Sequence, residues 1–158
     1  IISAVDLVRG VGVLLGWHRI DVPGATGYLD TDYAAKGRYG VEALEAFDLV
    51  CVHVEAPDEA SHEGRADEKV KALERIDGHI VGPLLDALPR YGDWRLLISP
   101  DHRTTLSTRA HAYGAVPFAA AGTGIGPAGQ AAYDEPTAAA SPLTFDPGYT
   151  LMRWFLGR

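Results

Sequence analysis

Asp48-Leu-Val-Cys-Val-His-Val54, followed by Glu55-Ala-Pro-Asp-Glu-Ala-Ser-His-Glu-Gly64, is the stretch on which the fold turns. Residues 48–54 are mostly aliphatic and β-branched, and Pro57 closes the run. Such a run predicts a strand buried on both faces, as in a parallel sheet. Trp94 to Ser99, closed by Pro100, reads the same way. Between the two, Val70, Leu73, Ile76, Ile80, Leu84 and Leu88 recur at helical spacing, with Glu68, Lys69, Lys71, Glu74 and Arg75 on the other faces. Strand, amphipathic helix and strand in this order predict a right-handed βαβ unit.

The alternation extends outward from this unit. Residues 3–15 predict a helix, His18 to Val22 a short strand and residues 31–46 another helix. Ala115 to Ala120 predicts a further strand and Tyr149 to Leu156 a last amphipathic helix. Residues 121–147 are rich in Gly, Ala and Pro and read as an irregular loop region. The expectation is an α/β fold, with a mostly parallel sheet and helices on both faces, in one domain over residues 1–158.

Composition narrows the function. The chain has 158 residues, enough for one sizeable core, with 47% hydrophobic and 22% charged residues. Its formal net charge of −7 is spread along the sequence and disfavours a nucleic-acid partner. No apolar run is long enough to predict a membrane span. The single cysteine, Cys51, lies inside an apolar run and is expected to be a buried small hydrophobe in a reducing compartment. No signal peptide is read at the N-terminus, so a cytoplasmic location is expected. The sequence starts in mid-pattern without Met, as a piece of a longer protein would.

Ligands of an open parallel sheet bind beyond the carboxyl ends of its strands. Asp58 and His62 follow the first predicted strand there, and Asp101 and His102 the second, in Ser99-Pro-Asp-His-Arg-Thr-Thr105; His111 comes nine residues later. The i, i+4 spacing of Asp58 and His62 places both on one face of a helical turn, as a shared cation requires. Adjacent Asp101 and His102 can diverge at a strand end toward two neighbouring ions. Carboxylate with imidazole suits Mn²⁺, Zn²⁺, Co²⁺ or Fe²⁺ better than Ca²⁺. Paired metals of this kind serve phosphoryl transfer. The plainer reading is a solvated helix start and a polar sheet rim, and these residues alone leave both open. Among the other candidates, His53 reads as a satisfied core histidine or a support to the site. Gly122-Thr-Gly-Ile-Gly126 reads as a loop, because no helical pattern follows it.

His53 to Gly64, then Lys69 to Asp77, Pro100-Asp-His102 and Arg109-Ala-His111 together resemble the C-terminal portion of the archaeal-type cofactor-independent phosphoglycerate mutases, in the alkaline phosphatase superfamily. Val22 to Asp32, followed by Lys36, and Ile2 to Gly10 share the resemblance, which covers residues 1–118 well and the tail weakly. It implies two divalent ions, manganese first, with zinc, cobalt or magnesium as alternatives. Asp58, His62 and His111 match the ligands of one ion, and Asp101 and His102 match two ligands of the second. The remaining ligands, an aspartate and the nucleophilic serine, belong to the family's N-terminal half and have no match here. Lys36 is implied to bind the substrate, a small phosphorylated metabolite. The full-length parent is thus expected to interconvert 3- and 2-phosphoglycerate, and this portion alone to bind metal without turnover.

Some positions depart from the family pattern. Ser61 stands where Gly is usual, Thr104-Thr105 where Thr-Pro is usual, and Gly114-Ala115 where Asp-Pro is usual. The last two departures permit a different substrate and keep open a related enzyme resembling homoserine kinase or phosphonopyruvate decarboxylase; a non-catalytic module with empty polar clusters is the other alternative.

Overall fold

Ile2, fully buried, is the seam of the first half of the molecule. It bridges Ile20 on one side and Val52 on the other, both in parallel. Its N–H donates to Cys51 O at 2.8 Å and its carbonyl accepts from His53 N at 2.8 Å, while Ile20 N donates to Ile1 O at 2.9 Å. The computed structural model describes residues 1–129 and 132–157 and divides into two compact units. Ile1–Ala87 with Thr104–Ala110 form the first; Leu88–Arg103 and the chain from His111 onward form the second.

In the first unit, α1 (Asp6–Leu14) follows the Ile2 segment directly. The helix α2 (Tyr33–Ala43) starts where the Asp32 carboxylate accepts from Ala35 N at 2.8 Å, satisfying one of the N–H groups that a helix start leaves open. α3 (Ala56–His62) opens with Pro57 and carries Asp58 and Glu59 in its first turn, where carboxylates suit the positive end of the helix dipole. Gly64 ends it at φ 72°, with Gly64 N donating to Ser61 O and Arg65 N to Ala60 O. This paired closure requires a left-handed residue at that point, which glycine supplies at little cost.

The predicted long helix is present but composite. It comprises α4 (Ala66–Ile76), a π-helical turn (Asp77–Val81) and α5 (Gly82–Ala87). Its buried stripe runs through Ala72, Ile80 and Leu84, with Ile76 packed against them, and not through Val70 and Leu73, which are about half exposed. A stripe stepping by four residues drifts around a 3.6-residue helix, and the wider π turn brings it back into line. α2 packs against that turn at Gly37, where a Cβ would stand 1.9 Å from the His79 carbonyl oxygen.

In the second unit, β1 (Arg95–Ile98) pairs antiparallel with β4 (Ala119–Gly122), Arg95 opposite Gly122 and Ile98 opposite Ala119. Phe118, Phe145 and Trp154 pack as an aromatic group beside α7 (Thr150–Phe155). The Arg95 guanidinium donates to Phe155 O at 2.6 Å, filling a carbonyl at the end of that helix. β2 (Arg103–Thr105) and β3 (Ala110–Ala112) pair as a two-stranded sheet where the chain passes between the units.

The mostly parallel sheet is corrected by these pairings. Among the described residues, the parallel contacts are single bridges at Ile2, and the ladder of β1 with β4 is antiparallel. The physical reason is length. α1 begins at Asp6, four residues after the bridging Ile2, which leaves no room for a long parallel ladder with the segments around Ile20 and Val52. Within predicted loop 121–147, Glu135–Ala139 form α6, capped by Asp134 accepting from Thr137 N at 2.8 Å; residues 130 and 131 lie outside the described residues. No helix among the described residues is long and apolar enough to cross a membrane.

Candidate metal centre

Asp58 and His62 stand one turn apart on α3, with His62 Nε2 3.1 Å from Asp58 Oδ2. Both side chains are further oriented, through their other polar atoms, by the 104–110 segment of the same unit. The Thr104 hydroxyl donates to Asp58 Oδ1 in a short hydrogen bond, and Thr104 itself is buried. His62 Nδ1 lies 2.9 Å from the Arg109 carbonyl oxygen and, since a carbonyl only accepts, is the donor. That bond, ahead of the Asp58 charge, holds the His62 pKa above the ordinary histidine value. Lys69 Nζ donates to Thr104 O at 3.2 Å and ties α4 to the same segment. Ser61, where the family resemblance has glycine, is fully buried and donates its hydroxyl to Pro57 O at 2.7 Å, so this departure is absorbed within the helix.

Asp101, His102 and His111 belong to the second unit. Asp101 and His102 follow β1, as expected, but they do not diverge. Asp101 Oδ1 accepts from the His102 backbone N–H at 3.0 Å, and Asp101 Oδ2 lies 3.5 Å from His102 Nε2. A carboxylate folded onto the next residue's N–H satisfies a backbone donor in a turn. The His102 and His111 rings are brought together, with centroids 4.0 Å apart.

Lys36 is placed differently from a surface cation. It is 1% exposed, and its Nζ donates to His53 O at 3.2 Å. Desolvation lowers its pKa from 10.5 to about 8, partly opposed by the Glu55 charge, while Arg9 adds to the lowering. His53 is satisfied on both ring nitrogens, Nδ1 3.1 Å from Ser3 Oγ and Nε2 3.3 Å from Glu55 Oε2. Sequence reasoning missed Thr104 and Arg109 as supports of the first pair. Neither carries a spacing signal; only Gly64, two residues after His62, hinted at a closure there.

The donor set suits a divalent transition ion. A carboxylate and an imidazole would bind the ion directly, and a hydroxyl and a carbonyl that orient them are the usual outer layer of such sites. The family model of the Metalloenzyme superfamily matches residues 1–141. The chain belongs to this superfamily. Within the Metalloenzyme superfamily it is similar to curated proteins named 2,3-bisphosphoglycerate-independent phosphoglycerate mutase. One from Methanothrix thermoacetophila is 47% identical over 97% of this chain, and one from Geobacter sulfurreducens, named a probable one, is 46% identical over 100% of it. A second mutase of Methanothermobacter thermautotrophicus is 52% identical over 85% of the chain. The chain spans 39%, 40% and 33% of these relatives' lengths, respectively. A solved structure of a Pyrococcus horikoshii protein, 30% identical, superposes with a TM-score of 0.83 over 89% of this chain and 42% of its own. These matches support the alkaline phosphatase-like metalloenzyme fold.

Proposed function

We propose that the protein to which this chain belongs interconverts 3-phosphoglycerate and 2-phosphoglycerate by metal-dependent phosphoryl transfer. The observation that carries this reading is the agreement of relatives at 46–52% identity on the mutase name, in a chain whose α3 presents an oriented carboxylate–imidazole pair. That agreement disfavours the kinase-like and decarboxylase-like alternatives. In this reading Asp58, His62 and His111 hold one divalent ion, and Asp101 and His102 contribute to a second, with manganese the first candidate.

Bound divalent cations supply positive charge that polarises a phosphoryl oxygen and activates an attacking hydroxyl. The chain's own contribution is to hold the donors ready. Thr104 turns Asp58, the Arg109 carbonyl turns His62, and α3 keeps the pair one turn apart. Lys36 enters through its buried charge at the carboxyl end of the Val52 segment, which favours an anionic substrate. The serine that carries the phosphoryl group lies outside this chain, and the same holds for the remaining ligands of the second ion. The protein acts on a small phosphorylated metabolite in the cytoplasm.

The test is an assay of the full-length protein for conversion of 3- to 2-phosphoglycerate, with Mn²⁺ and after chelation. Conversion is expected with the metal and is lost without it. Absence of conversion at high enzyme concentration with Mn²⁺ would overturn the proposal.

A further inference from the structure

Arg109, at φ 55°, is the only non-glycine residue at positive φ among the described residues. L-residues avoid this region because Cβ crowds the backbone, so one found there needs a surrounding reason. Three contacts within the first unit hold it. Its N–H donates to Thr105 O at 2.8 Å and closes the turn. Its side chain lies across Gly64, where a Cβ would stand 2.6 Å from Arg109 Nε and 3.0 Å from Cζ. Its carbonyl accepts from His62 Nδ1 at 2.9 Å. Gly64 therefore has two uses. It ends α3 at positive φ, and its missing side chain leaves room for the guanidinium.

We propose that Arg109 is a positioning residue: packed over Gly64, it locks a left-handed carbonyl that fixes the His62 imidazole as the Nδ1–H tautomer, with Nε2 turned to the Asp58 side. The proposal rests on the metal-site reading for its consequence, since a ring pinned at Nδ1 presents the Nε2 lone pair to an ion. Its geometric part stands without the ion. The guanidinium acts at one remove, through the backbone it immobilises.

Two measurements on this chain test it. The first is Mn²⁺ titration calorimetry of the wild type, Arg109→Gly, Gly64→Ala, the double variant and His62→Ala. Arg109→Gly keeps the carbonyl and accepts the positive φ but removes the guanidinium; its site is exposed, so the fold is expected to survive. It is expected to weaken Mn²⁺ binding about tenfold, the lower end of what a support to a ligand contributes. Gly64→Ala is expected to do the same, and the double variant to be no weaker than the weaker single one, because both act on one contact. The second measurement is the ¹⁵N signature of His62 in the metal-free chain at alkaline pH. Wild type should show Nδ1–H, and Arg109→Gly a mixture with Nε2–H. Wild-type affinity and a pure Nδ1–H ring in Arg109→Gly would overturn the proposal. Undiminished Mn²⁺ binding by His62→Ala would instead overturn the metal reading, and the tautomer result would still decide the positioning role.

Discussion

The first unit buries Ser3, Lys36, Ser61 and Thr104 beside its apolar core, whereas in the second only Leu88 and Phe155 are buried among the described residues. The candidate ligands follow the same division. Asp58 and His62 stand on a helix, each oriented by a hydrogen bond from the 104–110 segment. Asp101 folds onto its own neighbour in a turn, and His102 and His111 rest ring on ring. A packed surround fixes side chains ahead of the ligand, while a turn leaves more of the ordering cost to be met on binding. The difference singles out α3 as the element whose donors are held in place ahead of a ligand.

The strongest way to break this contrast is to damage each unit's packing at a glycine. Gly37→Ala places a Cβ 1.9 Å from His79 O, and Gly122→Ala places one 2.1 Å from Trp94 O at φ 118°. Each is expected to destabilise by about 3 kcal/mol or more, at the upper end for overpacking. Hydrogen exchange should show Gly37→Ala loosening mainly residues of the first unit and Gly122→Ala mainly the second. A uniform loss in both variants would dissolve the distinction.

Next is metal affinity. Asp58→Ala is expected to weaken Mn²⁺ binding to this chain more than about 100-fold, and Asp101→Ala only about tenfold, read by titration calorimetry. The inequality follows because, of the ligands proposed for the second ion, only Asp101 and His102 belong to this chain. Equal losses would mean that both clusters are prepared alike.

The buried lysine sharpens the picture through pH. Its folded pKa, about 8, lies below the ordinary 10.5, so between these values the unfolded chain binds more protons and stability rises with pH. The rise is expected to be on the order of 2 kcal/mol, after allowance for water reaching the opened amine. Denaturant melts from pH 7.5 to 10.5 should show it in wild type and lose it in Lys36→Met. A flat wild-type profile would remove the charge from the core. Smallest is Thr104→Val, which deletes the hydroxyl on Asp58 and is expected to cost about 1 kcal/mol of stability, by the same melts.

Much of the local structure was legible in the sequence. The helices expected over residues 3–15, 31–46 and 149–156 appear as α1, α2 and α7, because their periodicity depends on near neighbours alone. Asp58 and His62 facing one another follows from the helical period in the same way. The parallel sheet was not legible, because an apolar run records burial and not the partner strand. Segments 48–54 and 94–99 look alike in sequence, yet Val52 bridges Ile2 and residues 95–98 pair with β4. Val70 and Leu73 share the predicted apolar stripe yet stand about half exposed, because periodicity does not foresee the π turn, and the buried stripe passes through Ala72.

By itself, then, the sequence determined the longer periodic helices and the one-turn spacing of the α3 pair, because these depend on interactions within a few residues. Only the tertiary structure decided that Thr104 and Arg109, more than forty residues away, orient that pair and that Lys36 is enclosed at His53. Contacts between distant segments depend on how backbones approach, and the approach over Gly64 is set by packing that no local pattern records.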